Sequence, residues 1–455
     1  MDFIRETAKA VGFEKPLKEE QLLCLSSVLE GKDIVAILPT GYGKSLIFQL
    51  APQVIMRSRG IPASKSVGLI ITPLNSIMLN QIQALHSMGI SACSLDYSCS
   101  KAQTFEFDRD SDESGDDADC DNQILTTAPI SDILEGKYSL IYAHPEALLS
   151  CAQGERLLKQ LQKSEMIVCI AIDEAHIILE WGAEFRKDFS RIGENLLSRF
   201  PDIPVMVFTA TAPPKAQQQI IRNLNLRNPQ VISINPDRPN IKYSTIMRPP
   251  SSQTVEHLEE ILIPIMEGLA TEKQNYPLTI MYTDTSVISY SYTYLEKNLG
   301  NRQYIGDSIP ENRIFAQYHQ TYTDKMKSFI VQEICKADSR IRFVMSTVAL
   351  GMGLNALHVR HVIHYKPPTT IERYFQETGR AGRDGEPSYA TLYYNNTDIR
   401  SNRPGIDKAI VKYCKNTSSC KRAVMLECFG FQPIQGNQNC CDFCDSNHGQ
   451  EASSV

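Results

Sequence analysis

The stretch Asp33–Ala51, DIVAILPTGYGKSLIFQLA, sets the architecture of this 455-residue chain. It opens on an apolar run, DIVAIL (33–38), passes through two glycines and closes on a second apolar run of helical character. A strand, a glycine turn and a helix in that order form half of an α/β unit. Gly41 and Gly43 let backbone N–H groups turn inward around an anion. Lys44 can reach β- and γ-phosphate oxygens, Ser45 can ligate magnesium, and Pro39, Thr40 and Tyr42 complete the loop. The generic phosphate-loop pattern places a glycine where Leu38 stands. An ordinary glycine turn is the competing reading, and the flanking strand and helix argue against it.

Working outward, further apolar runs read as strands buried on both faces: VGLIIT (67–72), YSLIYA (138–143), MIVCIAI (166–172) and VMVFTA (205–210). Helical patterns lie between them, such as Asn75–Met88, so a parallel sheet covered by helices is expected. LNLRNPQVISINPDRPN (224–240) is rich in Asn and Pro and reads as a linker. The pattern restarts with LTIMYT (278–283), RFVMST (342–347), HVIHY (361–365) and ATLYY (390–394). The expectation is two tandem α/β domains over 1–232 and 233–397, and a cysteine-rich subdomain over 398–455.

Composition fits a globular chain, with 42% hydrophobic and 22% charged residues. No apolar run is long enough for a membrane span, and MDFIRETAKA lacks a signal-peptide layout. The net charge of −6 is misleading. Glu106–Asp121 holds nine acids and one arginine, so the remainder is +2 and need not repel nucleic acid. This acidic segment, about 104–123, reads as a solvated insertion in the first domain.

DEAHIILEWGAEFR (173–186) follows an apolar strand. Asp173 there suits magnesium held through water, and Glu174 suits activation of an attacking water. Two acids at a helix N-terminus are the blander alternative. QETGRAGRDG (376–385) sets Arg380 and Arg383 three residues apart, and a cation at the γ-phosphate accelerates phosphoryl transfer by ~10³–10⁵. Surface arginines in a glycine turn are the alternative. If they act from the second domain, hydrolysis requires closure, which makes a motor cycle.

Together these residues resemble the RecQ-type DNA helicases of superfamily 2 over roughly 10–446. FEKPLKEEQ (13–21) is similar to the adenine-reading motif, which gives Lys18 and Gln21 that role, lysine standing where the family has arginine. ITPLNSIMLNQ (71–81) and YAHPEALL (142–149) resemble DNA-tracking motifs Ia and Ib, implying Pro73, Asn75, Ser76, Pro145 and Glu146. FTATAP (208–213) resembles motif III, IMYTDTS (280–286) motif IV, and FVMSTVALGMGLNALHVRHVIHY (343–365) motif V, which adds Gly351 and Gly353 at the nucleotide. ERYFQETGRAGRDG (372–385) resembles motif VI, and His176 and Gln376 join the catalytic set.

The family follows its acids with an aromatic-rich loop. Trp181 (the single tryptophan), Phe185 and Arg186 fit it, and imply sensing of single-stranded DNA by base stacking. A core tryptophan is the competing reading.

Six of the thirteen cysteines fall between Cys414 and Cys444. Cys441-x-x-Cys444 can grip one zinc ion, and the resemblance adds Cys420. Cys440 is the expected fourth ligand, ahead of Cys414, Cys428 or His448; buried free thiols are the alternative. The expected cofactors are ATP, Mg²⁺ and structural Zn²⁺. The expected partners are single-stranded and forked DNA, with a monomeric core and no membrane. The family implies 3′→5′ unwinding in DNA recombination, repair or replication, and a nuclear location in a eukaryote, cytoplasmic otherwise. With the sequence ending at Val455, no winged-helix module is expected. The rivals are a hydrolytically dead scaffold, a translocase that unwinds little, and an RNA helicase.

Overall fold

The computed structural model describes residues 1–73, 75–98, 123–150, 152–180, 189, 191–249, 254–351, 356–431 and 440–451. The chain divides into two compact units, Met1–Ile234 and Asn235–Val455. Each is built on one sheet, and together they form a tandem pair of RecA-like α/β domains.

The first sheet contains β1 (Ile34–Ile37), β2 (Val67–Ile71), β3 (Ala92–Ser98), β4 (Gln123–Thr126), β5 (Leu140–Ala143), β6 (Ile167–Ile172), β7 (Val205–Thr209) and β8 (Gln230–Ser233). Its order is β4-β3-β5-β2-β6-β7-β1-β8, parallel except between β3 and β4. The apolar runs have no polar face because helices cover both sides. Val35 and Ile37 point into one core, while Ile34 and Ala36 point into the other. Parallel pairing brings the C-terminal ends of β6, β7 and β1 to one edge, where ligands bind in such sheets.

The second sheet contains β9 (Ile241–Met247), β10 (Thr279–Tyr282), β11 (Phe315–Tyr318), β12 (Phe343–Ser346), β13 (His361–His364) and β14 (Ser388–Tyr394). Its order is β11-β12-β10-β13-β14-β9, parallel throughout. Here too alternation divides the central strands between two cores: Ile280 and Tyr282 on one side, Met281 on the other.

Two readings change. The 224–240 segment is not all linker, because Gln230–Ser233 forms edge strand β8, parallel to β1. Its burial is slight, with only Ile232 buried, so its apolar pattern is weak. The cysteine-rich tail shares the core of the second sheet, with Tyr413, Cys414, Met425, Cys440 and Cys441 packed into it. Tyr243 N–H donates to the Cys440 carbonyl at 3.2 Å, and Thr245 N–H to the Asp442 carboxylate at 2.8 Å, which ties the tail to β9. No described helix is long and apolar enough to cross a membrane.

Candidate nucleotide site and cysteine cluster

The loop after β1 turns through Gly41 (φ +82°) and Gly43 (φ +91°) into helix Lys44–Arg59. The positive φ favours glycine at 43, and a Cβ there would stand 2.5 Å from Gln21 Nε2 and displace that side chain. Gln21, on helix Glu19–Leu29, donates to the carbonyls of Tyr42 (3.0 Å) and Gly43 (3.2 Å). Its Oε1 accepts from Lys18 N–H at 2.9 Å. Lys18 Nζ lies 3.7 Å from the centre of the Tyr42 ring, and the Tyr42 hydroxyl donates to Glu20. The predicted adenine readers therefore brace the phosphate loop in this structure. Lys44 Nζ donates to the Leu38 carbonyl at 3.0 Å. Ser45 Oγ accepts from Gln81 Nε2 at 3.1 Å, and Gln49 and Tyr142 lie behind that pair. Pro39 is half-buried, Thr40 exposed.

Asp173 directly follows β6 and is 6% exposed. Burial, then the neighbouring Glu174 charge, pushes its carboxyl up to about 7, against the opposing pull of Lys44 and the Glu174 amide. That amide donates to Asp173 Oδ1 at 2.9 Å, and Glu174 itself has φ +52°. A non-glycine residue in the left-handed region costs of order 1 kcal/mol or more, a strain found at functional sites. His176 Nδ1 lies 3.3 Å from both Glu174 Oε2 and Thr209 Oγ1, and Thr209 donates to the Thr211 carbonyl at 2.9 Å. Thr209 of FTATAP is thus joined to Glu174 through His176 at one sheet edge.

The other predicted residues of the first unit fall on the same sheet's strand ends. Pro73 follows β2, and Asn75 and Ser76 open helix Asn75–Ser87. Pro145 and Glu146 open helix Pro145–Leu149 after β5. Trp181, Phe185, Arg186 and Gly353 lie outside the described residues, as does most of the acidic insertion; Gly351 ends the short turn Val348–Gly351.

In the second unit, helix Ile371–Thr378 starts with the Thr370 hydroxyl accepting from Arg373 N–H at 3.2 Å. Gln376 is half-buried on it, and Glu377 meets His364 Nε2 at 2.7 Å inside the core. The loop after it carries Arg380, 7% exposed, and Arg383. Burial and the nearby charges of Arg380 and Arg238 bring Arg383 down to about 10. Asp384 accepts a forked pair from Arg360 (3.0 and 2.5 Å), which with further hydrogen bonds holds its carboxyl near 2. Arg238, missed in the sequence because it sat in a segment read as linker, donates into this same loop.

Cys420 caps helix Lys421–Cys428, and Cys440 and Cys441 precede helix Asp442–Glu451, which carries Cys444. The four sulfurs lie within 4.8 Å of one another. Separations of 3.4 Å (Cys420–Cys440), 3.5 Å (Cys441–Cys444) and 3.9 Å (Cys420–Cys441) surround the ~3.8 Å expected for tetrahedral zinc at ~2.3 Å bonds. Lys421 N–H donates to Cys441 Sγ at 3.4 Å, as expected for a thiolate ligand. The donor set fits a closed structural zinc site. Cys414 and Cys428 do not join it: Cys414 is in the core, and Cys428 donates to the Val424 carbonyl at 3.3 Å.

Comparison with known proteins places this architecture among the two-domain superfamily helicases. The DEAD/DEAH box helicase family matches residues 18–220, and the helicase conserved C-terminal domain matches 254–385. Solved structures show the same fold. DEAD-box helicase Mss116 bound to ssRNA has a TM-score of 0.62 at 16% identity, covering 95% of this chain and 81% of that one. The DUF1998 helicase MrfA bound to DNA and AMPPNP has a TM-score of 0.62 at 16% identity, covering 100% and 60%.

Among curated proteins, ATP-dependent DNA helicase RecQ of Haemophilus influenzae is 31% identical over 453 residues, 96% of this chain and 62% of its own length. RecQ-like DNA helicase BLM of Xenopus laevis is 28% identical over 453 residues, 94% of this chain and 29% of that protein. Over nearly its whole length this chain is similar to RecQ-type DNA helicases. It spans less than a third of the eukaryotic relatives BLM and SGS1.

Proposed function

We propose that the protein is an ATP-dependent DNA helicase or translocase that moves 3′→5′ on single-stranded DNA. The observation that carries this reading is the convergence of Lys44, Asp173, Glu174 and Thr209 at one sheet edge of a RecQ-like chain. Gly41, Gly43 and Lys44 bind the phosphates. Ser45 and Asp173 hold the Mg²⁺ that neutralises phosphate charge. Glu174 takes the proton of the attacking water, and His176 orients Glu174. Arg380 and Arg383 act at the γ-phosphate, Gln376 joins them in catalysis, and Gly351 and Gly353 contribute to nucleotide binding. Trp181, Phe185 and Arg186 sense the DNA strand, while Pro73, Asn75, Ser76, Pro145 and Glu146 track its backbone. Cys420, Cys440, Cys441 and Cys444 hold a structural Zn²⁺. Forked DNA is the proposed substrate, the nucleus the proposed location in a eukaryotic cell, and recombination, repair or replication the setting.

The test is phosphate release with and without single-stranded DNA, followed by strand displacement on forks with a 3′ or a 5′ tail. Wild type should be stimulated by DNA and displace strands from the 3′-tailed fork. Lys44→Ala should do neither. Trp181→Ala should keep basal hydrolysis and lose stimulation. Equal stimulation by RNA, or hydrolysis surviving Lys44→Ala, would sink the reading.

A further inference from the structure

The segment just before β9 reaches two places at once. Arg238 donates from Nη1 to the Gly379 carbonyl (3.4 Å) and from Nη2 to those of Ala381 (3.2 Å) and Gly382 (2.6 Å). Asn240 Nδ2 adds bonds of 2.8 Å each to Gly382 and Glu386 carbonyls. These carbonyls flank Arg380 and directly precede Arg383. The loop has no slack: Gly382 has φ +57°, and a Cβ on it would stand 2.3 Å from Asn240 Nδ2.

On its other side the same segment is held from the cysteine cluster. Arg422 Nη2 donates to the carbonyls of Pro239 (3.2 Å) and Ile241 (2.7 Å), and its Nε lies 3.7 Å from Asp237 Oδ1. Both side chains of that pair are nearly inaccessible, at 4% and 5% exposure. Arg422 is two residues from Cys420 and follows Lys421, whose amide reaches Cys441 Sγ.

We propose that Arg238 is a positioning residue for ATP hydrolysis: its guanidinium fixes the loop that presents Arg380 and Arg383, and Arg422 fixes Arg238 in turn. The inference rests on the assignment of those two arginines to the γ-phosphate. A planar five-donor fork suits three carbonyls on one turn, and lysine cannot reproduce it. No carboxylate pairs with Arg238 among the described residues. Its guanidinium lies close enough to Arg383 to repel it and feels the Asp384 carboxylate as a counter-charge. Burial and the like charges of Arg380 and Arg238 depress Arg383.

The experiment compares Arg238→Lys, Arg238→Ala, Asn240→Ala and Arg380→Ala with wild type in the full chain. It reads DNA-stimulated kcat, KM for ATP, melting temperature, and inhibition by ADP with aluminium fluoride, a mimic of the transferring phosphoryl group. Arg238→Lys should lower kcat about tenfold or more with KM changed less than about threefold, because misplacing a transition-state contact by ~1 Å can cost ~10²-fold. Its melting temperature should match wild type, and inhibition by the mimic should weaken in step with kcat. Wild-type kcat in both Arg238 variants beside an inactive Arg380→Ala overturns the proposal. So does a kcat loss that merely follows a falling melting temperature. Should Arg238→Ala not fold, Asn240→Ala removes two bonds to the same loop without touching charge. It should show a smaller kcat loss at unchanged KM, and wild-type kcat there overturns the proposal. Full activity in Arg380→Ala would instead refute the role of the motif VI arginines, and the positioning role with it.

Discussion

His176 Nδ1 lies 3.3 Å from the Thr209 hydroxyl and 3.3 Å from Glu174 Oε2. One imidazole therefore joins the end of β7 to the carboxylate proposed to activate water. Orientation of a catalytic group by a second residue is worth about 10–100-fold where it has been measured at metal sites. His176→Ala should lower kcat for ATP hydrolysis by about tenfold or more. Thr209→Val should do so less, since Glu174 keeps its histidine. Phosphate release under saturating ATP checks both; unchanged turnover in His176→Ala would remove the histidine from the mechanism.

Asp173 supplies a pH dependence. Its carboxyl is raised, first by burial and then by Glu174, to about 7. A raised folded value means that the folded state holds the proton more tightly than the unfolded state does. This contribution to stability is full below pH ~4 and is lost as pH rises through about 7. Asp173→Asn should therefore melt higher than wild type at pH 8 without nucleotide, by about 3 °C or more, with the gap closing toward pH 4. Magnesium requires the carboxylate, so apparent Mg²⁺ affinity in the ATPase assay should rise from pH 6 to 8. A flat melting difference from pH 4 to 8 would contradict the burial argument.

The cysteine cluster predicts a metal count. Purified protein should carry about one zinc per chain, released on thiol modification and read with a chromogenic chelator. Cys440→Ser should lose the metal and several kcal/mol of stability, since metal binding free energy is folding free energy. Cys428→Ser, in the same tail but bonded to the Val424 carbonyl, should keep it. Equal zinc content in both variants would exclude Cys440 as a ligand.

Gly382→Ala tests the crowding around the arginine loop. Its φ of +57° and the 2.3 Å approach to Asn240 Nδ2 make an added methyl both strained and obstructed. The expected cost is about 1–3 kcal/mol of stability together with a loss of ATPase kcat. Gly385→Ala, with φ +89° but open space around it, should cost less. Chemical denaturation and phosphate release on the two variants decide between them.

Several of these elements were readable in the chain before it was folded. IVAI, VGLII and IVCIAI announce buried strands because helices cover both faces of a parallel sheet, leaving no polar side to mask the pattern. Gln230–Ser233 was hidden because an edge strand buries little and sits among Asn and Pro. Asp173 and Lys44 were legible because phosphate chemistry demands those residue types at the ends of strands. Arg238 was not, because its partners are backbone carbonyls more than 140 residues away and carbonyls leave no mark in a sequence.

The chain alone carried the kinds of chemistry present: phosphate loop, paired acids, arginine loop and thiolates, each encoded within a few residues where local geometry suffices. Folding settled which of them meet. Parallel strand order brought His176 to Thr209, while packing of the tail on the second sheet placed Cys420 against Cys440, 20 positions on, and Arg238 came to lie against the arginine loop. Such meetings depend on sheet order and packing summed over the whole unit, and no short stretch of sequence contains that sum.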